Sequence, residues 1–130
     1  MLKSKIHRAT VTQADVHYEG SLTLDTDLLA AADIVAFEEV HVWNITRGTR
    51  FRTYAMSGEA GTGVVCANGA AALLVEPGDL IIVATFSHVD DHEIGDFQPR
   101  LVFVDERNRI KEVKSGETAG PHLPGQSLAV

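Results

Sequence analysis

Short apolar and β-branched segments alternate with glycine- and proline-containing turns along most of the 130-residue chain. Within these segments apolar and polar side chains tend to alternate with a period of two, which is typical of half-buried strands. Many short strands separated by such turns favour a mainly β fold that closes into a barrel with small helices. Strands are predicted at residues 3–11, 21–24, 40–45, 51–56, 64–67, 80–86 and 101–104.

Short helices and turns are predicted between the strands. Asp25 or Thr26 can cap a short helix through residues 28–32, and the Ala/Leu run that ends at Val75 predicts one or two helical turns. The strands on either side of residues 46–49 are expected to pair as a hairpin. Further turns or loops are predicted at 12–15, 61–63, 68–69, 77–79 and, as a solvated acidic loop, 88–96.

Length and composition indicate one globular domain over residues 1–130. The chain is 45% hydrophobic and 22% charged, which is ordinary for a folded protein, and its length is sufficient for a real core. From Lys114 onward Ser, Gly and Pro predominate and the periodicity is lost. Residues from about 115 to 130 are therefore expected to form a flexible tail and not a second domain.

Composition also disfavours several classes of partner. The net charge of −7 argues against nucleic acid. No apolar run approaches the length of a membrane span, and the first residues lead into no apolar signal segment, so a cytoplasmic protein with no membrane partner is expected. The single cysteine, Cys66, rules out an intrachain disulfide and fits a reducing compartment.

Six of the eleven basic residues are gathered in two short stretches. In an acidic chain such clusters can bind a small anion, or they can be the solvated faces of strands. The residues are Lys3, Lys5 and Arg8, then Arg47, Arg50 and Arg52.

The tetrapeptide Tyr18-Glu19-Gly20-Ser21 admits two interpretations. It can be an ordinary turn, because Gly accepts a positive φ and Ser hydrogen-bonds its own backbone. It can also be a reactive peptide, because a strained Gly-Ser bond lets the Ser hydroxyl attack the preceding carbonyl with no Cβ in the way. The amide would then become an ester, and β-elimination would cut the chain and leave a pyruvoyl ketone.

Four further sequence blocks decide between these interpretations. Together with the tetrapeptide, and with spacing kept from about residue 3 to about residue 104, they resemble the pyruvoyl-dependent aspartate 1-decarboxylase family. The blocks are Lys3-Ser4-Lys5-Ile6-His7-Arg8, Val42-Trp43-Asn44-Ile45-Thr46-Arg47-Gly48, Arg50-Phe51-Arg52-Thr53-Tyr54 and Asn68-Gly69-Ala70-Ala71.

The resemblance implies a six-stranded double-psi β-barrel and a homotetramer of processed protomers with active sites between adjacent subunits. It implies self-cleavage between Gly20 and Ser21 into residues 1–20 and 21–130, either spontaneous or assisted by a maturation factor. The cofactor would be a pyruvoyl group made from Ser21, with no metal. L-Aspartate would form a Schiff base on that ketone and leave as β-alanine and carbon dioxide, and the β-alanine would feed pantothenate and coenzyme A synthesis.

The resemblance also implies site residues, which ordinary roles could explain one by one. Arg50 would hold the side-chain carboxylate of the substrate with help from Lys5, because a salt bridge to the departing carboxylate would favour the ground state. Tyr54 would donate a proton, and it could instead be a half-buried strand aromatic. Thr53 has the opposite strand parity to Arg50 and Tyr54, so its presence in the same pocket would require a bend or bulge.

The remaining implied residues concern cleavage and substrate approach. The Thr53 hydroxyl and the Asn68 amide could stabilise the oxyanion that forms at the Gly20 carbonyl during cleavage. The backbone of Gly69, Ala70 and Ala71 lacks bulky side chains, so that substrate can reach its N–H groups. Asn68 belongs to the same substrate-binding loop in the family.

Two rival functions are less favoured. The chain could be a non-catalytic β-barrel binding module with an intact Gly20–Ser21 turn. It could also be a metal-dependent enzyme using His88 and His92 with neighbouring carboxylates, although a solvated acidic loop explains that stretch better. His7 can assist processing or be an ordinary strand histidine, and Cys66 is expected to be a small buried hydrophobe.

Overall fold

The computed structural model describes residues 1–122 and 125. These residues contain nine strands and three short helices. The helices are α1 (Thr26–Ala32) and two 3₁₀ helices at Gly69–Leu74 and Asp91–Asp96. The strands are β1 (Leu2–Thr10), β2 (Gln13–Asp15), β3 (Leu22–Asp25), β4 (Glu39–Asn44), β5 (Arg50–Gly58), β6 (Val65–Asn68), β7 (Leu80–Phe86), β8 (Arg100–Val104) and β9 (Ile110–Lys114).

The strands form one mixed sheet in the order β2-β6-β3-β5-β4-β7-β1-β8-β9. Three neighbouring pairs are parallel, namely β1 with β8, β2 with β6 and β3 with β5, and the others are antiparallel. The hairpin of β4 and β5 is confirmed, as is the mainly β class with short helices. The mixture of parallel and antiparallel pairs is consistent with a double-psi barrel.

The sheet curls around a single hydrophobic core. Seven of its strands and α1 contribute buried side chains to one cluster, among them Ile6, Leu22, Val42 and Val83. A flat sheet cannot bring strands that far apart in its order onto one cluster, so the sheet must be strongly curved. Burial of these side chains is the main stabilising contribution to the fold.

Helix α1 begins where the sequence predicts, and Asp25 is its cap. The Asp25 carboxylate accepts hydrogen bonds from the backbone N–H groups of Asp27 at 2.8 Å, Gly61 at 3.1 Å and Gly63 at 2.8 Å. Burial alone would raise the pKa of Asp25, but these three donors hold it below its ordinary value. One side chain therefore fixes both the start of α1 and the loop before β6.

Three predictions about local structure need correction. Residues 12–15 are not simply a turn, because Gln13–Asp15 forms β2 and pairs in parallel with β6. Strand β9 was not predicted, and it pairs with β8. The acidic stretch 88–96 contains an exposed 3₁₀ helix at Asp91–Asp96 and is not loop throughout. In the first two cases the partner strand, far away in sequence, determines the structure.

The predicted tail is described only in part. Residues 115–122 are exposed and contain no helix or strand. The prediction for residues 123, 124 and 126–130 lies outside the described residues. Within the described part, no helix is both long enough and apolar enough to cross a membrane.

Candidate active site

The Gly20–Ser21 junction lies in the bend between β2 and β3. Gly20 has a φ of +92°, a conformation that side-chain-bearing residues rarely adopt. Immediately after it, the Ser21 carbonyl accepts a hydrogen bond from the Asn68 backbone N–H at 2.6 Å, and β3 then pairs with β6. The junction is thus a left-handed turn fixed on its carboxyl side by a strand ladder.

The Gly20 carbonyl has two donors within the chain. The Thr23 hydroxyl donates to its oxygen at 3.1 Å, and the Asn68 side-chain amide donates at 3.4 Å. The prediction that Asn68 reaches this carbonyl therefore agrees with the structure. Two hydrogen-bond donors on one carbonyl favour negative charge on its oxygen.

The Ser21 hydroxyl is hydrogen-bonded to the hydroxyl of Thr53 on β5. β5 pairs with β4 in an uninterrupted register from Trp43 opposite Arg50 to Glu39 opposite Tyr54. β5 therefore has no bulge at Thr53, and a bulge was expected only if Thr53 shared a pocket with Arg50 and Tyr54. The regular strand instead places Thr53 on the opposite face from Arg50 and Tyr54.

Arg50 and Tyr54 lie on the outer face of β5 and are exposed. The Arg50 guanidinium lies 5.8 Å from the centre of the Trp43 ring, and the Tyr54 ring stacks on Phe37 with centroids 6.3 Å apart. Across residues 1–122, Arg50 makes no ion pair with a carboxylate. Its charge is therefore available to an anion from outside the protomer.

A cleft of about 240 Å³ surrounds this arginine. It is lined by His41, Trp43, Arg50, Phe51 and Arg52. Two arginines and two aromatic rings suit a small anion with some apolar surface. By contrast, Arg47 from the same basic stretch is bonded to Asp79 at 2.7 Å and Glu76 at 2.5 Å, so its charge is used within the fold.

Lys5 lies on β1 between β7 and β8. Its side chain is only 13% exposed, and its ammonium pairs with Glu117 at 2.8 Å. In the described residues, no hydrogen bond or ion pair joins Lys5, Arg50 or Tyr54 to Gly20 or Ser21. One protomer therefore gathers the residues around the Gly20–Ser21 peptide but not those predicted to hold and protonate the substrate.

The loop Gly69-Ala70-Ala71 begins the first 3₁₀ helix directly after Asn68. Gly69 has a φ of +63°, and a Cβ there would lie 3.6 Å from the Tyr18 carbonyl oxygen. Ala70 is exposed, whereas Ala71 is buried. The loop therefore packs close to the tetrapeptide that contains the junction.

Comparison with known proteins gives consistent results. The family model described as aspartate decarboxylase matches residues 1–111. The chain is 60% identical over 121 residues to the aspartate 1-decarboxylase of Myxococcus xanthus, with 93% of each chain covered. It is 56% identical over 120 residues to that of Moorella thermoacetica, with 92% of this chain and 94% of the other covered. The chain belongs to the aspartate decarboxylase family. Family membership confirms the resemblance and supports an enzyme over a non-catalytic module.

Solved structures also align with the chain, and one of them is a designed protein. The rationally designed protein mkDPBB_sym_86 has a TM-score of 0.47 and 17% identity, with 62% of this chain and 95% of that chain covered.

Thr23 is the residue near the junction that sequence reasoning missed. A hydroxyl three positions after a carbonyl is a recognised local hydrogen-bonding pattern, so the spacing from Gly20 was the available signal. Thr23 and Asn68 also line a cleft of about 480 Å³ with Asp15, Tyr18 and Cys66. The two residues that donate to the Gly20 carbonyl therefore form part of the wall of this cleft.

Cys66 is buried, as predicted, and has a structural contact at the site. Its thiol donates to the Asn68 side-chain oxygen at 3.2 Å, which leaves the amide nitrogen directed to the Gly20 carbonyl. Burial raises the pKa of the Cys66 thiol, so it stays protonated and able to donate. Cys66 therefore orients Asn68 and is not itself a nucleophile.

The surroundings of His7 indicate an ordinary strand histidine, and the acidic segment around the 3₁₀ helix at Asp91–Asp96 gives no support to a metal-dependent enzyme. Burial, and then the charges of Lys5 and Arg8, lower the pKa of His7, whose ring packs on Phe103 at 5.3 Å. Asp90, His92 and Glu93 have ligand atoms within 4.8 Å of one another but are all exposed. Exposed acidic groups of this kind commonly meet without a metal ion, and His88 is not among them.

Proposed function

We propose that this chain decarboxylates L-aspartate to β-alanine and carbon dioxide, using a pyruvoyl group made from its own Ser21. The observation that carries the proposal is the junction itself: the Ser21 hydroxyl is held by Thr53 beside a Gly20 carbonyl that already has two donors. Membership of the aspartate decarboxylase family supports the substrate. The product would feed pantothenate and coenzyme A synthesis.

The group would be made by the chain's own residues. The Ser21 hydroxyl oxygen attacks the Gly20 carbonyl carbon, the peptide C–N bond breaks, and the hydroxyl proton passes to the Ser21 nitrogen, giving an ester. Transfer of the Ser21 Cα proton to water then forms the Cα=Cβ double bond as the Cβ–O bond breaks. Gly20 leaves as a carboxylate, and the dehydroalanine at residue 21 takes up water and releases ammonia to become a ketone. The open Gly20 side, with no Cβ, favours the first attack.

The residues present fit a pyruvoyl group at position 21. When formed, such a ketone supplies the electron sink that decarboxylation of an amino acid needs. The Asn68 backbone N–H, now bonded to the Ser21 carbonyl, would hold the amide that follows the ketone. Gly69 and Ala70 would leave room for substrate beside it.

Three side chains would act on the substrate. Arg50 would bind the retained side-chain carboxylate through its planar fork, and Lys5 would add a second positive charge. Tyr54 would donate the proton that replaces the departing carboxylate on the substrate carbon. The exposure of Arg50 and Tyr54 leaves both side chains free to do so.

These roles call for more than one protomer. Thr53 contacts Ser21 from one face of β5, while Arg50 and Tyr54 project from the other. A neighbouring copy could bring its Arg50 and Tyr54 to the Ser21 of this one, which supports active sites between adjacent subunits of a homotetramer. The outer face also carries Phe37, 73% exposed beside Tyr54, an apolar side chain suited to a subunit contact.

Location and maturation are the remaining parts of the proposal. A cytoplasmic protein fits the one free cysteine, which cannot pair within the chain. Cleavage would be either spontaneous or assisted by a maturation factor. Incubating the purified chain alone separates these two routes.

The test is denaturing mass spectrometry of purified, aged protein. The expected products are residues 1–20 ending in a free carboxylate and residues 21–130 with no free amine. Their summed mass should differ from that of the intact chain by the gain of one water and the loss of one ammonia. Ser21→Ala should remain one chain and make no β-alanine, because it lacks the attacking hydroxyl.

The control is Ser57→Ala, which removes an exposed serine hydroxyl from β5 and should mature normally. Simple proteolysis at the junction would leave a serine amine and add only water. Finding that terminus in active protein, with no ketone species, would overturn the proposal.

A further inference from the structure

We propose that the Thr23 hydroxyl is a catalytic group of the cleavage step, stabilising negative charge on the Gly20 carbonyl oxygen, while Thr53 holds the attacking Ser21 hydroxyl. This inference rests on the proposed self-cleavage at Gly20–Ser21 and assigns a role to a residue that sequence reasoning left out. It also moves to Thr23 the oxyanion role that was expected of Thr53, and it gives Thr53 the task of holding the nucleophile.

Thr23 is well placed for this role. Its hydroxyl donates to the Gly20 oxygen at 3.1 Å, within the range of a good hydrogen bond. Its backbone is fixed on both sides, because Thr23 lies opposite Cys66 on β6 and opposite Met56 on β5. A donor held in advance of the reaction needs little reorganisation when charge develops.

Asn68 supplies the second donor from the other side of the junction. Its amide nitrogen lies 3.4 Å from the Gly20 oxygen, and its side-chain oxygen is bonded to the Cys66 thiol. Its backbone N–H binds the Ser21 carbonyl at 2.6 Å. Together with Thr23, it forms a two-donor pocket for a single oxygen.

Thr53 is engaged elsewhere. Its hydroxyl is bonded to the Ser21 hydroxyl, and across the described residues it makes no hydrogen bond to the Gly20 oxygen. That position suits a group that orients the nucleophile or accepts its hydrogen. The geometry therefore separates orientation of the nucleophile from stabilisation of the oxyanion.

A purely local role is the competing explanation for Thr23. Thr62 makes the same kind of bond, from its hydroxyl to the Glu59 carbonyl three residues earlier at 2.7 Å, in an exposed turn. Such bonds commonly stabilise turns. The Thr23 bond differs because its acceptor is the carbonyl that Ser21 would attack and because that carbonyl has a second donor.

In the step concerned, the Ser21 oxygen forms a bond to the Gly20 carbon, and the carbonyl π electrons move to its oxygen. The Thr23 and Asn68 donors stabilise that charge. When the tetrahedral species collapses, the C–N bond breaks and the proton from the Ser21 hydroxyl goes to the Ser21 nitrogen. No other reactant takes part.

The test compares cleavage rates of unprocessed Thr23→Val, Thr23→Ser and Thr62→Val, followed by denaturing mass spectrometry. Thr23→Val keeps the shape but loses the donor, so its first-order rate constant should fall by about 10²-fold, the usual effect of removing one oxyanion donor. Thr23→Ser should cleave close to the wild-type rate, because it keeps the hydroxyl. Thr62→Val loses a matched local bond and should cleave like wild type.

Hydroxylamine identifies the step that is affected. It cuts an accumulated ester at Gly20, so it would restore cleavage if Thr23→Val slowed only the later elimination. We expect no restoration, because ester formation itself should be slow. Restoration to the wild-type rate would overturn the inference.

The outcomes also distinguish this inference from the proposed function. If active wild-type protein never cleaves, the proposed function fails. If wild type cleaves and folded Thr23→Val cleaves equally fast, only the role of Thr23 fails. Should circular dichroism show that Thr23→Val is unfolded, Thr23→Ala removes the same hydroxyl with less crowding and must show the same loss.

Discussion

At the Gly20–Ser21 junction, polar groups find their partners within the same chain: Ser21 meets Thr53, and the Gly20 carbonyl meets Thr23 and Asn68. On the outer face of β5, the side chains of Arg50 and Tyr54 have aromatic neighbours and no hydrogen-bonded partner in the described residues. The first region is assembled by the fold of one protomer. The second is open to a substrate and to another copy of the chain.

This difference matches the two reactions proposed for the molecule. The proposed cleavage would happen once per chain and would need only groups that the fold itself brings together. Decarboxylation would repeat many times, so its residues must be accessible to each new substrate molecule. Substitutions on the outer face should therefore affect decarboxylation and spare cleavage, whereas substitutions at the junction should affect cleavage first.

Tyr54→Phe should give the largest separation between the two reactions. It removes only a hydroxyl from an exposed ring, so the fold and cleavage should be unchanged. Loss of a general acid should lower kcat by about 10²-fold or more, with a small change in KM. Steady-state β-alanine formation, normalised to matured chain, measures this effect.

Mixing protomers sharpens the result. Co-expression of Tyr54→Phe with Ser21→Ala should restore activity, because an interface can then combine Ser21 from one chain with Tyr54 from the other. Random mixing should repair roughly a quarter of the sites if they are shared between copies. A mixed assembly with no restored activity would mean that each site takes Ser21 and Tyr54 from the same chain.

Arg50→Lys should have the next largest effect. It keeps the charge but loses the fork that matches a carboxylate. Because a hydrogen bond to a charged group contributes about 1.5–3 kcal/mol, kcat/KM for aspartate should fall by about 10- to 100-fold. Arg107→Lys, at an exposed arginine that does not line the cleft around Arg50, is the control and should change turnover much less. An equal loss of cleavage and turnover in Arg50→Lys would show that Arg50 is structural.

The sequence predicts the locally determined parts of this molecule well. The Asp25 cap, the hairpin of β4 and β5 and the Gly20 turn each depend on residues close together in sequence, and each agrees with the structure. β2 and β9 were missed because three and five residues with little local signal become strands only when distant partners pair with them. The alternation of apolar and polar residues along a segment does not show which distant strand that segment will pair with.

The same distinction holds at the site. The residue types at the junction could be named from a resemblance, yet the division of labour between Thr23 and Thr53 could not. It depends on β3 lying between β5 and β6, which aligns Thr53 with the Ser21 side chain and Asn68 with its backbone. Strand parity correctly separated Thr53 from Arg50 and Tyr54, and the regular β5 register shows that the two faces of this strand serve different places.

Glu117→Gln should give the smallest effect. It tests whether Lys5 helps Arg50 bind the substrate. The Glu117 carboxylate pairs with the Lys5 ammonium at 2.8 Å from a segment that is otherwise exposed. If Lys5 helps bind a substrate carboxylate, Glu117 competes with that substrate for the same charge. Removing it should lower KM for aspartate about twofold to fivefold, the range expected for one partly exposed ion pair, and leave kcat and cleavage unchanged. Glu112→Gln breaks a comparable contact with Lys114 at 3.8 Å and should leave KM unchanged. A KM that rises in Glu117→Gln would instead mean that Glu117 positions Lys5 for the substrate, and equal KM values in both variants would remove Lys5 from the binding site.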